Sequence, residues 1–384
     1  MREIKILVTG GGSSGHISPA LAIIKTIVAE GGESRQWTPR FLYVGGKRGL
    51  EQEQVEAEGI PFVGVETGKL RRYFSRQNFS DALRVPVGIG QAFGIVRRFR
   101  PDVVLATGGY VAVPPVLAAA ARRVPIVTHE QTVQIGLANR INARFATKIA
   151  LSFASALEEL SPSLRRKAFV SGNPVRPQIF GGDASKAIAF CDFDEQDDLP
   201  TIYVTGGSQG ARILNRAVEE ILPQLLGRCR VIHQCGHQSN DPDFERLLHA
   251  QSTLEPRLKR RYSVARFIRD ELRDVFALSH LVVGRAGAGT VTELCALGKA
   301  AIYVPLVPTG GDEQTRNAQM VEAAGAAYII RQNELSGAKL LETITSLLND
   351  APQLQEMGQA AQTLARPDAA RDLAHAVVEL ALKN

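Results

Sequence analysis

The sequence predicts an α/β protein made of two Rossmann-like domains. Three observations point there. Short apolar runs alternate with helix-like stretches along the chain, the rhythm of βαβ units and parallel sheets. That rhythm starts twice, at Ile4–Val8 and again at Ile202–Val204. Each series opens on a glycine-rich corner between a strand and a helix, Gly10 to Gly15 in the first and Gly206 to Gly210 in the second.

In the first series, strands are expected at Ile4–Val8, Phe41–Val44, Val103–Ala106, Ile126–Thr128 and Ile149–Leu151. In the second they are expected at Ile202–Val204, Val231–His233, Leu281–Val283 and Ala301–Val304. Turn formers at Gly172-Asn173-Pro174 and Gly181-Gly182 and the acidic stretch Asp192–Asp198 mark the break between the series. The expected organisation is an N-terminal domain over residues 1–172, a C-terminal domain over 173–365, and an amphipathic helix over 366–384 that packs back on the first domain.

Composition bounds the class. The chain has 384 residues, 45% hydrophobic and 22% charged, a globular balance that excludes a disordered or fibrous protein. No run of 18 apolar residues exists, so no membrane span is expected. The opening Met1–Val8 has neither signal-peptide nor transit-peptide character, which points to the cytoplasm. The four cysteines, Cys191, Cys229, Cys235 and Cys295, are irregularly spaced, as for reduced thiols. Residues 1–170 hold 23 Lys+Arg against 13 Asp+Glu, whereas 171–384 hold 22 against 26. A basic half joined to a mildly acidic half suggests two different partners.

The first glycine corner fits G-x-G-x-x-G through Gly10, Gly12 and Gly15. Such a loop exposes backbone N–H groups at a helix start, a seat for an anion. A dinucleotide site also needs an acid at the end of the second strand, and that strand runs out as Tyr43-Val44-Gly45-Gly46-Lys47. NAD and FAD are therefore disfavoured. His16 closes the corner. A neutral imidazole there could accept a proton from a substrate hydroxyl, or simply order the loop. Second and third corners, Thr205–Ala211 and Gly284–Thr290, favour a phosphate-bearing ligand. Glu293, one turn into the third-corner helix, could hold a ribose or complement the helix dipole.

Lys69 to Arg100 carries eight basic residues and one acid, Asp81, interleaved with Leu70, Tyr73, Phe74, Phe79 and Phe93. This segment suits an anionic lipid surface, or is an ordinary helix with a solvated charged face. His233-Gln234-Cys235-Gly236-His237 lacks a second ligand pair, and Asp192-Phe193-Asp194 and Asp241-Pro242-Asp243 suit solvated turns, so no metal site is expected. No P-loop and no G-x-S-x-G elbow is present.

On Gly10–Ala22, Gly68–Tyr73, Thr107–Pro114, His129–Arg140, Gly172–Arg176, Gly206–Asn215 and Arg285–Ala326, the chain resembles the MurG family of glycosyltransferases. The resemblance implies a GT-B fold, two Rossmann-like domains whose parallel sheets face a central cleft. It implies inverting transfer of N-acetylglucosamine from UDP-GlcNAc to undecaprenyl-pyrophosphoryl-MurNAc-pentapeptide, lipid I to lipid II, in peptidoglycan synthesis. No metal or other cofactor and no nucleic acid are implied. The protein would lie peripherally on the cytoplasmic side of the cell membrane, with Lys69, Arg71, Arg72 and Arg76 meeting its anionic surface.

The resemblance also implies site residues. Ser208 and the Ala288-Gly289-Thr290-Val291-Thr292 turn would contact the diphosphate region, with Arg176 near. Ile268 would meet uracil, Glu293 the ribose and Gln314 the sugar, while Asn215 and Arg285 also belong to the donor side. Ser13, Ser14 and Gly15 would close over the donor. His16 is the favoured base and Glu130 the runner-up, with Tyr110, Thr132 and Asn139 on the acceptor side. Ser14, Thr132 and Glu313 depart from the family pattern. A related transferase or UDP-GlcNAc epimerase with a soluble substrate, or a non-catalytic sugar-nucleotide-binding subunit, are the competing readings.

Overall fold

The computed structural model describes every residue except 1, 35, 48, 50, 69–76, 237–241, 308–311 and 384. Two units emerge, one formed by Met1–Arg176 with Arg366–Asn384 and the other by Pro177–Ala365.

The first unit holds seven parallel strands: β1 (Arg2–Thr9), β2 (Trp37–Gly46), β3 (Phe62–Val65), β4 (Val103–Ala106), β5 (Ile126–Glu130), β6 (Lys148–Leu151) and β7 (Ala168–Val170). Their order across the sheet is β3-β2-β1-β4-β5-β6-β7. Pairing is in simple register, with Ile6 opposite Val103 and Thr9 opposite Ala106. Both faces are covered, as parallel sheets require. Ile4, Ile6 and Val8 point to one face with Ile17, Ile23 and Ile27 of helix Ser14–Ser34. Leu373, Ala374, Val377 and Ala381 of the last helix, Ala369–Lys383, close that same core. Leu7, Val104 and Ala106 point the other way, against Ala92, Val96 and Val116.

The second unit repeats the plan with β8 (Thr201–Thr205), β9 (Arg230–Gln234), β10 (Tyr262–Ala265), β11 (Leu281–Gly284), β12 (Ala301–Tyr303) and β13 (Ala327–Ile329). The order is β10-β9-β8-β11-β12-β13. One face packs Ile202, Val204, Val231 and Val283 with Leu214, Val218 and Ile344. Tyr203 meets Phe276 edge-on on the other face, with ring centroids 5.7 Å apart.

Four strands lie outside the sequence expectation: β3, β7, β10 and β13. Each is the edge of its sheet, three or four residues long and only partly buried, so its apolar run is too short or too interrupted to stand out.

Candidate active site

In each unit the chain order reverses once across the sheet, between β1 and β4 in the first and between β8 and β11 in the second. Open α/β sheets bind ligands at the carboxyl ends of the strands beside such a reversal.

In the first unit, two loops meet there: residues 10–13 after β1 and 107–109 after β4. Thr107 N–H donates to Thr9 O at 2.8 Å, and Gly11 N–H to Gly108 O at 3.2 Å. The approach needs glycine. Gly108 has φ 94°, and a Cβ on it would stand 2.8 Å from Asn139 Nδ2 and 3.2 Å from the His16 ring. A Cβ on Gly109 would reach within 2.0 Å of Gly11 O. The missing side chains leave the space in which His16 stands.

His16 is half-buried at the start of helix Ser14–Ser34. Its Nδ1 lies 3.0 Å from Thr107 O and 2.9 Å from Gln131 Oε1. A backbone carbonyl can only accept, so Nδ1 carries the proton and Nε2 the lone pair. Ser13 and Gly15 are exposed beside it, and Tyr110 is half-buried with its ring against Gly12.

Glu130 is placed differently from the expectation of a second base. It is 4% exposed at the end of β5. Oε1 faces Thr132 N–H at 3.1 Å and Thr132 Oγ1 at 2.9 Å. Oε2 accepts from Gly136 N–H and Asn139 Nδ2, both at 2.9 Å. Three N–H donors thus hold the carboxylate within the fold, while the single proton of the Thr132 hydroxyl is contested by Gln134 O at 2.6 Å. Thr132 and Asn139, expected on the acceptor side, instead serve this carboxylate. Asn139 also donates to His129 O at 3.0 Å and is itself buried.

The first glycine loop is also corrected. Its anion is the protein's own: Glu51 Oε1 accepts from Gly12 N–H at 3.2 Å, and Glu51 is fully buried. Glu51 opens helix Glu51–Ala57, five residues after the end of β2. Burial and the Glu51 charge push the Tyr43 phenol well above its usual range, and Tyr43 donates to Gly10 O at 2.8 Å.

In the second unit, the corners after β8 and β11 are neighbours. Thr205 pairs with Gly284, and Arg285 N–H donates to Thr205 O at 3.3 Å. Gly210 has φ 77°, and a Cβ on it would stand 2.1 Å from Cys235 O, so the first corner is folded down on the end of β9. Ser208 sits half-buried in that corner. The second corner starts helix Ala288–Leu297, in which Val291 N–H already donates to Gly287 O at 2.9 Å, so the amides of Ala288, Gly289 and Thr290 are the ones without intrahelical partners. Thr292 Oγ1 is turned back to Ala288 O at 2.8 Å. Glu293 is half-buried on the same helix. Asn317, which sequence reasoning assigned no role, holds the corner by donating to Ala286 O at 3.1 Å.

Other expected donor residues have internal partners. Asn215 is 1% exposed and donates to Asp243 Oδ2 at 2.7 Å and Cys235 O at 3.0 Å, while its Oδ1 lies 3.0 Å from His233 Nε2. All its polar atoms are used within the fold, so it braces the β9 corner in place of a ligand. Asp243, expected in a solvated turn, is buried and bound to Asn215 and Arg246. His233 has Tyr262 OH on its other nitrogen at 2.9 Å, and burial lowers its pKa to about 3. Ile268 N–H donates to Gln234 Oε1 at 2.9 Å. Arg285 Nη1 donates to Val304 O at 2.8 Å, and Gln314 Oε1 accepts from Leu306 N–H at 3.0 Å. Arg176 is half-buried at the end of the first unit.

Lys69, Arg71, Arg72 and Arg76 lie outside the described residues, as does the side chain of Ser14. Among the described residues, no three His, Cys, Asp or Glu side chains cluster in a way that could hold a metal ion. Among them, too, no helix is long and apolar enough to cross a membrane.

Residues 6–151 match the glycosyltransferase family 28 N-terminal domain, and residues 201–373 match the glycosyltransferase family 28 C-terminal domain. A protein of Lachnoclostridium phytofermentans is 36% identical over 90% of this chain and 91% of its own. One of Treponema pallidum is 37% identical over 96% of this chain and 94% of its own. Both are named UDP-N-acetylglucosamine–N-acetylmuramyl-(pentapeptide) pyrophosphoryl-undecaprenol N-acetylglucosamine transferase. Among solved structures, MurG of Acinetobacter baumannii is similar over 98% of this chain and 99% of its own, with a TM-score of 0.73 and 25% identity. A UDP-GlcNAc 2-epimerase of Neisseria meningitidis shares the fold over the full length of both chains, with a TM-score of 0.66 at 15% identity.

Proposed function

Because the chain belongs to glycosyltransferase family 28, we infer that it moves N-acetylglucosamine from UDP-GlcNAc to undecaprenyl-pyrophosphoryl-MurNAc-pentapeptide, converting lipid I to lipid II in peptidoglycan synthesis. The observation that carries this is identity of 36–37% to transferases so named, sustained over nine-tenths or more of the chain. The likeness to 2-epimerases is one of fold alone.

The donor is assigned to the second unit. Its two adjacent corners aim backbone N–H groups and the positive end of helix Ala288–Leu297 at one place, a suitable seat for a diphosphate. Ser208 and the Ala288–Thr292 turn would hold the phosphates, Glu293 the ribose hydroxyls, Ile268 the uracil and Gln314 the sugar. Arg176 and Arg285 would add positive charge.

The acceptor hydroxyl is assigned to His16. Its oxygen attacks the anomeric carbon as the bond from that carbon to the phosphate oxygen breaks. The bonding electron pair leaves with UDP, and the hydroxyl proton passes to His16 Nε2. A general base of this kind contributes on the order of 10²–10⁴-fold. The growing charge on UDP meets preorganised dipoles, which supply stabilisation without a cation. Metal independence is part of the proposal.

Membrane attachment is the remaining part. Helix Gln77–Phe99 exposes Val87 (52%) and Phe93 (39%), with Arg97 and Arg98 exposed at its end. Apolar residues beside cations suit the headgroup layer of an anionic membrane. The protein would bind there peripherally, on the cytoplasmic side where a lipid-linked acceptor can be reached.

Incubation with UDP-GlcNAc and a short-chain lipid I analogue tests the activity. Equal yields of UDP and lipid-linked disaccharide are expected. Tight UDP-GlcNAc binding with no disaccharide would contradict the assignment.

A further inference from the structure

A chain of hydrogen bonds runs from the end of β7 to His16, and each proton on it can be assigned. Gly172 O lies 3.1 Å from His129 Nε2. Because a carbonyl only accepts, Nε2 carries the His129 proton and Nδ1 is left as an acceptor. Gln131 Nε2 lies 3.2 Å from that Nδ1 and 2.5 Å from Thr107 O, two acceptors that fix which end of the amide is nitrogen. The other end, Gln131 Oε1, then faces His16 Nδ1 at 2.9 Å. Ser152 completes the set: its hydroxyl donates to Glu130 O at 2.7 Å and its oxygen faces His129 Nε2 at 3.1 Å.

The chain is built to stay in this state. His129 and Gln131 are buried, at 0% and 2% exposure. Burial lowers the His129 pKa to about 4, so near neutral pH it remains uncharged and its Nδ1 remains an acceptor. A flipped Gln131 would aim its oxygen at Thr107 O and at the His129 lone pair, and its NH₂ at the His16 N–H. All three contacts would become repulsive or empty.

We propose that Gln131, oriented by buried His129 and by Thr107 O, is a positioning residue that locks His16 in the Nδ1–H tautomer and so presents Nε2 to the substrate hydroxyl. The proposal rests on the reading of His16 as the base. Once His16 takes up a proton at Nε2, its Nδ1–H still faces two oxygens, so the same contacts stabilise the imidazolium that forms. Thr132, which follows Gln131, takes no part, because its hydroxyl serves Glu130 and Gln134 O.

The test reads the tautomer directly. In the full-length protein labelled with ¹⁵N-histidine, the His16 resonances are assigned by their loss in His16→Ala. In the unsubstituted protein, at a pH where His16 is neutral, a protonated Nδ1 and an unprotonated Nε2 are expected. Gln131→Leu leaves Thr107 O as the one oxygen at Nδ1, so the Nε2–H form should gain population and kcat should fall roughly ten- to a hundredfold, part of what a general base supplies, with KM for UDP-GlcNAc unchanged. An Nε2–H tautomer in the unsubstituted protein would overturn the proposal without any variant having to fold. So would Gln131→Leu with tautomer and kcat both unaltered. A mixed tautomer with unaltered kcat would instead remove His16 as the base, and the catalytic half of the proposal with it.

Discussion

The backbone amide of Gly12 donates to the carboxylate of Glu51 at 3.2 Å, so the first glycine loop is occupied by an acid from its own domain. Gly11 is fitted to the same group, since a Cβ there would stand 1.9 Å from Glu51 Oε1. The loop is a bracket that sets the start of helix Ser14–Ser34, and therefore the position of His16. In the proposed function, phosphate recognition is assigned to the second unit.

Gly11→Ala should therefore cost stability. Glu51 is fully buried and cannot swing into solvent, so the added methyl forces a shift of about 1–3 kcal/mol. Denaturant midpoints measure this. An unchanged midpoint would show that Glu51 does not fill the loop.

His16→Ala should lower kcat by about 10²–10⁴-fold and leave the UDP-GlcNAc dissociation constant within a few-fold of the unsubstituted protein. Titration calorimetry beside steady-state kinetics separates the two. Equal losses in both would give His16 a loop-shaping role only.

Asn215→Ala should act on the fold. It leaves Asp243 and His233 short of buried partners, at a cost of about 1–3 kcal/mol. Donor affinity measured well below the melting temperature should be little changed. A large affinity loss in a protein of unchanged stability would return Asn215 to the donor site.

Stability should fall on acidification below about pH 6.5. His129 and His233 are held neutral in the fold, with pKa lowered to about 4 and about 3, whereas the unfolded chain binds a proton on each near pH 6.5. The unfolded state thus gains protons first as pH drops. Each residue then removes about 1.4 kcal/mol per pH unit down to its own folded value, and above pH 6.5 the effect vanishes. Melting curves from pH 7 to pH 5 test the slope, which His233→Gln should reduce.

Reversing charge at Arg97 and Arg98, or replacing Val87 and Phe93 with Ser, should weaken flotation with vesicles containing phosphatidylglycerol. Vesicles of phosphatidylcholine alone should be indifferent to the charge reversal. Unaltered flotation of both variants would place the membrane contact elsewhere.

Central strands were legible in the sequence because each is buried on both faces and reads as an apolar run, as in Val103–Ala106 and Leu281–Gly284. Edge strands such as Ala168–Val170 were not, being short and half-exposed. The three glycine corners were legible from spacing. What fills them was not: Glu51 reaches Gly12 across 39 residues and Gln131 reaches His16 across 115, distances at which spacing carries no signal. The run His129-Glu130-Gln131 marked the right place. Which of its side chains faces His16 depends on the alternation along β5 and on the loop that follows it, and Glu130 turns away to Asn139 and Gly136.

In the proposed reaction, backbone dipoles and arginines take up the charge of departing UDP with no cation bound. Steady-state turnover of UDP-GlcNAc and the lipid I analogue in excess EDTA tests it most directly. A kcat equal to that in magnesium is expected. A kcat that collapses with chelator and returns on adding Mg²⁺ would contradict it.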